Sequence, residues 1–209
     1  MTARLVSADH SGHGEAIGVL ARGGVVAIPT DTVYGISVAL TTPGGIERLY
    51  AAKARPPDKA IVVLVDNLGQ AEAFVEVNEL AHALAQRFWP GGLTLVLRLR
   101  ADASVPAALT AGTATLGVRM PDHHTPRAIA RALGPLPTTS ANRSGEQECR
   151  DAESVRRVLG EQVDLIVDGG PSPGGVPSTV VDCTGARAVI LRAGAVDRSE
   201  IERLSGASP

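Results

Sequence analysis

The sequence has few lysines, aromatic residues and cysteines, and each shortage narrows what the protein can be. Only two lysines, Lys53 and Lys59, stand among 20 Lys+Arg residues, so arginine is the usual cation of this chain. Aromatic residues make up 2% of the sequence, so we expect an aliphatic core. Cys149 and Cys183 are too few and too isolated for a disulfide framework or a thiolate zinc site. We interpret both as small apolar residues.

Several patterns that would assign a function directly are absent. No apolar run approaches the roughly 20 residues that a membrane-spanning helix needs, and the first ten residues lack the apolar region of a signal peptide. We therefore expect a cytoplasmic protein with no membrane partner. The sequence contains no Walker A loop, no GxGxxG fingerprint and no HExxH zinc motif. His123 and His124 lie in a proline-flanked turn and are interpreted as surface residues rather than metal ligands.

Length and composition favour one globular domain. The 209 residues, 44% of them hydrophobic and 20% charged, can bury a substantial core. We expect a single domain over residues 1–209, with a core from about 10 to 204 and a flexible tail at 205–209. The net charge of −2 gives no overall attraction to nucleic acid, so any contact with RNA must come from a local patch.

Strand-like and helix-like segments interleave irregularly along the chain. Strands are predicted at 25–29, 36–40, 61–65, 93–99, 116–120, 136–139, 164–168, 178–182 and 189–192, with 93–99 half-exposed. Helices are predicted at 15–21, 43–54, 68–87, 126–133 and 155–159, and a last helix to 204 is capped by Asp197. Some steps between strands are too short for a helical crossover. The predicted fold class is therefore α/β, a twisted mixed sheet of parallel and antiparallel strands surrounded by helices.

The stretch from 51 to 65 concentrates cations at the predicted mouth of the sheet. It indicates the end of a helix, a Pro-Pro break and then a buried strand, with Lys53, Arg55 and Lys59 before that strand. Cations in this position suit phosphate, although a solvated charged loop explains the pattern equally well. Because Lys53 ends a helix, we expect it to contribute little to the core.

Polar clusters lie at the ends of several predicted strands, where open α/β sheets usually bind ligands. They span residues 30–35, 53–55, 138–145 and 169–179. Each of them alone could equally satisfy turns and helix caps. The Gly/Pro-rich loop at 169–179 could expose backbone N–H groups to phosphate oxygens, or it could simply join two strands.

Two arginines are predicted inside or at the end of apolar strands. Arg119 has apolar neighbours, and a buried guanidinium requires a partner. That partner is either a carboxylate or phosphate ligand, or an acidic residue elsewhere in the chain. Arg192 has the same character at the end of the last strand.

An ordered set of motifs connects these segments to a known family. PTDTVYG, KAR-P, FWPGGLT, GVRMP, TSANRSG, PSTVVD and ILRAGA, from about residue 23 to 194, resemble the YrdC-domain family of threonylcarbamoyl-adenylate synthases. The resemblance implies a YrdC-like fold with a large concave groove, in its short single-domain form. It also implies a nucleotidyltransferase that converts L-threonine, bicarbonate and ATP into threonylcarbamoyl-AMP and pyrophosphate. That product serves the modification of adenosine 37 in tRNA.

The same resemblance assigns roles to individual residues. It implies catalytic roles for Lys53, Arg55, Ser140 and Asn142. It implies ATP contacts for Arg55, Lys59, Thr115, Ser140, Ala141, Asn142, Cys149 and Arg192. It implies L-threonine contacts for Thr30, Thr32, Tyr34, Arg119, Thr139 and Ser178. Leu64 stands where some relatives have a histidine, and Cys149 stands where a serine is common.

The resemblance further implies Mg²⁺ as the cofactor. We expect the ion to be held mainly by ATP and water rather than by protein side chains, and we expect no organic cofactor. A downstream threonylcarbamoyl-transferase complex is the expected protein partner.

Two other functions fit the same fold. One is a non-catalytic module that binds double-stranded RNA or acts in ribosome maturation. The other is a carbamoyltransferase that forms a carbamoyl adenylate. The intact set of Lys53, Arg55, Ser140 and Asn142 favours the synthase, and the net charge of −2 disfavours a dedicated RNA binder.

Overall fold

The computed structural model describes residues 3–54 and 60–206. Within these ranges the strands are β1 (Arg4–Ser7), β2 (Val26–Ile28), β3 (Gly35–Ser37), β4 (Val62–Leu64), β5 (Leu93–Arg98), β6 (Thr115–Arg119), β7 (Leu136–Ser140), β8 (Leu165–Asp168), β9 (Thr179–Asp182) and β10 (Val189–Arg192). The helices are α1 (His10–Ala21), α2 (Gly45–Lys53), α3 (Leu68–Glu72), α4 (Glu79–Phe88), α5 (Ala107–Thr110), α6 (His124–Leu133), α7 (Ala152–Leu159) and α8 (Arg198–Leu204).

The strands form one mixed sheet in the order β1-β8-β2-β3-β7-β4-β6-β5-β9-β10. The pairs β1–β8, β2–β8, β4–β6 and β5–β9 are parallel, and β2–β3, β3–β7, β4–β7, β5–β6 and β9–β10 are antiparallel. The predicted mixed α/β sheet is confirmed.

Aliphatic side chains fill the core on both faces of this sheet. A larger cluster gathers residues such as Ile36, Leu49 and Leu95, and a smaller one packs α1 and α6 on the other face through Leu20 and Ile129. Cys149 and Cys183 are both buried, as their interpretation as small apolar residues requires.

Polar side chains determine where several helices begin. Asp9, Asn67, Asn78, Asp151 and Asp197 each accept a hydrogen bond from a backbone N–H in the first turn that follows. This contact satisfies donors that have no partner inside the helix. The predicted cap of the last helix at Asp197 is confirmed.

The predicted helix over 68–87 is wrong, because the chain breaks it into α3 and α4. Between them, Glu76 N–H donates to Arg98 O at 2.9 Å, and Arg100 N–H donates to Phe74 O at 2.9 Å. This short segment thus pairs with the end of β5, and Asn78 then starts the second helix. Tertiary backbone pairing outweighs the local helical pattern here.

Other differences follow from the neighbours that each strand has in the sheet. β1 was not predicted, and it extends the sheet to Arg4, before the expected core boundary, by parallel pairing with β8. β5 was expected to be half-exposed, but it lies between β6 and β9 and most of its residues are buried. The short helix α5 was also not predicted.

The paired histidines have a structural role that the sequence did not indicate. His123 is half-buried, and its Nδ1 accepts the Thr125 N–H at 3.1 Å, which caps α6. The ring of exposed His124 lies 5.2 Å from that of buried His13 on α1. His123 is therefore not the surface turn residue that was predicted. Among the described helices, none is long and apolar enough to cross a membrane.

Candidate active site

A cleft of about 640 Å³, counted out to its open mouth, lies against the central strands. Its walls come from β3, β4, β5, β6 and β7, the β2–β3 loop, and the residues that flank β9 and β10. The lining residues are Thr30, Thr32, Val33, Tyr34, Gly35, Ala60, Val62, Leu64, Thr94, Arg119, Thr138, Thr139, Ser140, Pro177, Ser178 and Arg192. The lining joins an apolar strip to many hydroxyl groups and two arginines, a mixture that is typical of small-molecule sites.

The loop between β2 and β3 places two threonine hydroxyls in the cleft. Thr30 Oγ1 donates to Val33 O at 2.7 Å, so its single hydrogen is used. Thr32 Oγ1 lies 3.0 Å from Thr30 Oγ1 and must therefore be the donor in that pair. The loop is fixed by its own side chains, and it presents Thr32 as an acceptor.

Arg119, at the end of β6, is the buried cation of the cleft. Its Nε donates to Gly91 O at 2.9 Å, its Nη1 to Thr32 Oγ1 at 2.8 Å, and its Nη2 to Asp31 Oδ1 at 2.6 Å. Burial lowers the pKa of the guanidinium, and the Asp31 carboxylate opposes that shift. Of the two partners that the sequence left open, the acidic residue within the chain is present.

Three N–H groups of Arg119 are donated within the described part of the chain, and a guanidinium carries five. One N–H on each terminal nitrogen therefore remains for a ligand. Arg119 is one of the residues that line the cleft.

Lys53, the last residue of α2, is buried behind the end of β7. Its Nζ donates to Ser140 O at 2.7 Å, to Asn142 Oδ1 at 2.7 Å and to Ser140 Oγ at 3.1 Å, and it lies 3.3 Å from Thr139 Oγ1. The side chain is 2% exposed, so the expectation that it contributes little to the core is wrong. The ammonium group holds the turn that carries Ser140 against α2.

Asn142 completes this turn rather than lining the cleft. Its Oδ1 also accepts the Ser140 hydroxyl at 2.7 Å, and its Nδ2 donates to Glu146 O at 2.7 Å. Ser144 N–H donates to the Lys53 carbonyl at 3.2 Å, so the loop also closes over the backbone of the lysine. The predicted set of Lys53, Ser140 and Asn142 is thus brought together by direct hydrogen bonds.

The opposite wall is built from β5, β9 and β10. Ser178 Oγ lies 2.8 Å from Thr94 Oγ1, and Arg192 Nη2 donates to Ser178 Oγ at 3.1 Å and to Ser178 O at 2.8 Å. Ser178 and Thr94 are buried, whereas Arg192 is exposed at the end of its strand. The prediction that Arg192 shares the buried character of Arg119 is therefore wrong.

The Gly/Pro-rich loop at 169–179 does not present a row of open amides. The N–H groups of Gly169, Gly170, Ser172, Gly174 and Gly175 donate to Tyr34 Oη, Asp168 Oδ1, Arg150 O, Asp31 O and Thr32 O respectively. A phosphate cradle made of these amides is thus contradicted. The loop instead braces the β2–β3 loop from outside, because a Cβ added to Gly174 would lie 2.6 Å from Asp31 O.

Several predicted ligand contacts have structural roles. Tyr34 lines the cleft, but its hydroxyl donates to Gly170 O at 2.8 Å, and burial raises its pKa to about 12. Ala141 and Cys149 do not line the cleft. Their backbones join the β2–β3 loop to the turn after β7: Tyr34 N–H donates to Cys149 O, Cys149 N–H to Ala141 O, and Ala141 N–H to Tyr34 O. Burial raises the pKa of the Cys149 thiol, which keeps it protonated.

Thr115 lies outside the lining of the cleft, at the start of β6. Val62 pairs with Gly117 in the parallel register, which places Thr115 level with Ala60, a lining residue. It therefore lies toward the end of the cleft that Ala60 lines. The predicted contacts of Arg55 and Lys59 fall in that segment, which is outside the described residues.

Three side chains of the site were not identified from the sequence. Asp31 pairs with Arg119, Thr94 bonds Ser178, and Thr138 Oγ1 receives the Ser37 hydroxyl at 2.8 Å and lines the cleft. All three lie within or beside the motifs of the sequence analysis. A motif, however, does not show which of its polar side chains contacts another side chain of the protein. Leu64 lines the cleft as part of its apolar strip.

Comparisons with known proteins place the chain in a family. The Sua5/YciO/YrdC family model, described as telomere recombination, matches residues 18–194. The chain belongs to this family. Over 194 residues it is 39% identical to the threonylcarbamoyl-AMP synthase of Bacillus subtilis. The aligned region covers 92% of this chain and 56% of that protein. The chain thus spans about half the length of this curated relative.

Solved structures of the Sua5/YciO/YrdC family show the same fold. The Pyrococcus abyssi Sua5 structure complexed with L-threonine has a TM-score of 0.90 at 34% identity, covering 99% of this chain and 61% of that one. Escherichia coli YciO has a TM-score of 0.84 at 27% identity, covering 94% of this chain and 98% of that one. The YrdC-like fold predicted from the motifs is confirmed.

Proposed function

We propose that this chain is an L-threonylcarbamoyladenylate synthase, which forms threonylcarbamoyl-AMP and pyrophosphate from L-threonine, bicarbonate and ATP. The observation that carries the proposal is Arg119, a buried guanidinium with two undonated N–H groups in a cleft lined by hydroxyls. Such a group suits the carboxylate of a small amino acid. The relatives named threonylcarbamoyl-AMP synthase and the L-threonine complex of Sua5 support the same reading.

In this proposal the cleft aligns two reactants, the carbamate formed from threonine and the ATP that this carbamate attacks. The amine of threonine adds to the carbon of bicarbonate-derived CO₂, and the amine loses a proton to give a carbamate. An oxygen of the carbamate then attacks the α-phosphorus of ATP, and the bond to pyrophosphate breaks. This sequence needs alignment and stabilisation of charge on phosphate oxygens more than it needs a protein nucleophile.

The residues divide between these tasks. Arg119, held by the Thr32 hydroxyl, binds the threonine carboxylate, and the Ser178 and Thr94 hydroxyls line the same cleft. Ser140 lines the cleft at the end of β7, where Lys53 fixes its position, and it faces the nucleotide. Arg192 adds a second cation at the exposed rim.

Magnesium is expected to enter with the phosphates of ATP. In the described part of the cleft lining there is no Asp or Glu, so these residues offer hydroxyls and cations rather than the carboxylates that Mg²⁺ prefers. The residues therefore do not form a magnesium site of their own. No step above depends on the ion.

The threonine dependence of pyrophosphate release tests the proposal. Purified protein with ATP and bicarbonate should release pyrophosphate when L-threonine is present and stop when it is omitted, because the carbamate of threonine is the attacking group. A pyrophosphatase-coupled phosphate assay measures the release. Equal release with and without threonine, or none at all, would contradict the proposed function.

The same assay separates the two alternatives. Release that depends on carbamoyl phosphate in place of threonine and bicarbonate would identify a carbamoyltransferase. Tight binding of double-stranded RNA by a protein that never releases pyrophosphate would identify the RNA-binding module.

We then propose that the product passes to a downstream threonylcarbamoyl-transferase complex that modifies tRNA.

A further inference from the structure

Arg119 forms a salt bridge with Asp31, a residue that does not line the cleft. Asp31 Oδ1 accepts from Arg119 Nη2 at 2.6 Å, and the two side chains are 14% and 7% exposed. The carboxylate is absent from the lining, whereas the guanidinium is part of it. Within the described residues, Asp31 is thus linked to the cleft by its direct contact with Arg119.

Three contacts restrain the planar guanidinium on separate sides. Gly91 O holds Nε, Thr32 Oγ1 holds Nη1, and Asp31 holds Nη2. Asp31 supplies the only charged contact of the three, and charge-assisted hydrogen bonds are roughly twice as strong as neutral ones. Without it, the guanidinium would keep its neutral contacts at Nε and Nη1 but lose the charge-assisted contact at Nη2.

The position of Asp31 is itself fixed from behind. Its backbone carbonyl accepts the Gly174 N–H at 3.0 Å, and the Thr32 carbonyl accepts the Gly175 N–H at 2.8 Å. The Gly/Pro-rich loop thus locks the backbone that carries the carboxylate. The role of the loop is therefore to support the backbone of Asp31, not to bind phosphate through its amides.

We infer that Asp31 is a positioning residue for substrate recognition: it holds the Arg119 guanidinium so that its two remaining N–H groups meet the carboxylate of the amino-acid substrate. The inference rests on the proposed function and adds a residue to it. Competition between Asp31 and the substrate carboxylate for one cation would instead weaken substrate binding. The two effects have opposite signs, so one experiment separates them.

Two variants of Asp31 and one matched control make this experiment. Asp31→Asn keeps the shape and one acceptor oxygen but removes the charge, and Asp31→Ala removes the contact. The control is Asp66→Asn. Asp66 is another buried aspartate, paired with Arg127 and Arg131 at 2.9–3.1 Å, and it does not line the cleft.

Steady-state kinetics with L-threonine and with ATP as the varied substrate give the readout. The KM for L-threonine should rise by about threefold in Asp31→Asn and about tenfold in Asp31→Ala, while the KM for ATP stays within about twofold of wild type. Asp66→Asn should leave both KM values unchanged. A purely structural role for Asp31 would raise both KM values together, as would any general loss of folded protein.

The result that overturns the inference is an unchanged or lowered KM for L-threonine in Asp31→Asn. If Asp31→Ala does not fold, as judged by circular dichroism, Asp31→Asn decides alone. Failure of the proposed function is seen separately, since wild-type protein would then show no threonine-dependent pyrophosphate release. Calorimetric titration of L-threonine into each variant still measures the effect of Asp31 in that case, with the same threefold and tenfold order expected for Kd.

Discussion

Arg119→Lys is expected to lower kcat/KM for L-threonine by about a hundredfold, equivalent to about 3 kcal/mol of transition-state stabilisation. Lysine keeps the positive charge but has no planar fork. Its three N–H groups cannot bond Gly91 O, Thr32 Oγ1 and Asp31 Oδ1 together and still leave a donor for a ligand. The loss should appear mainly in the KM for L-threonine, because the lost contact is to that substrate.

Arg100→Lys is the matched control for this change. Arg100 also contacts an aspartate, Asp102, through two hydrogen bonds of 2.9 Å, but the pair is exposed and outside the cleft. Its replacement should leave kcat/KM unchanged. Near-normal threonine kinetics in Arg119→Lys would remove Arg119 from the substrate site.

Lys53→Met should abolish most of the turnover and also destabilise the fold. Methionine keeps the length of the side chain but donates no hydrogen bond, so Ser140 O and Asn142 Oδ1 lose a charged donor in a buried position. We expect the free energy of unfolding to fall by about 2 kcal/mol. We expect kcat to fall by about a hundredfold or more, because Ser140 is no longer held at the nucleotide end.

Urea denaturation and pyrophosphate release on the same preparations measure both effects. Ile129→Val serves as the control, since Ile129 is a buried residue of α6 and lies outside the cleft. It should reduce the free energy of unfolding by about 1 kcal/mol while leaving kcat unchanged. A Lys53→Met protein with wild-type stability would contradict the structural role of the lysine, and one with wild-type turnover would contradict its place in the site.

The sheet could be predicted because its strands are apolar, β-branched runs bounded by turn residues. β2, β6 and β10 lie within one residue or so of their predicted bounds for this reason. β1 and the break at Ala73–Asn78 could not be predicted in the same way. Each depends on pairing with a strand that is distant in the sequence, and local patterns contain no information on that pairing.

The site was predicted as a set of residues but not as a network. The motifs correctly brought Thr30, Thr32, Thr139, Ser140 and Ser178 to one cleft with Arg119. They did not distinguish a side chain that faces a ligand from one that holds its neighbour. Lys53 and Tyr34 turned out to be anchored within the protein, because a buried ammonium or hydroxyl takes the nearest acceptor.

The same limit explains the Gly/Pro-rich loop. Its glycines indicated open amides, yet the amides of all four glycines and of Ser172 donate to the chain. What Gly174 provides is close approach to the backbone of Asp31 and Thr32, which is a property of two segments and not of either one. Asp31 was overlooked for a related reason, since its partner Arg119 lies 88 residues away.

The most direct measurement of the central claim is the composition of the product. The protein is incubated with ATP, L-threonine and isotopically labelled bicarbonate, and the nucleotide product is analysed by mass spectrometry. The account predicts one compound that contains AMP, threonine and a single labelled carbon from bicarbonate, formed in step with pyrophosphate. AMP joined to threonine without the label, or a labelled product without threonine, would contradict it.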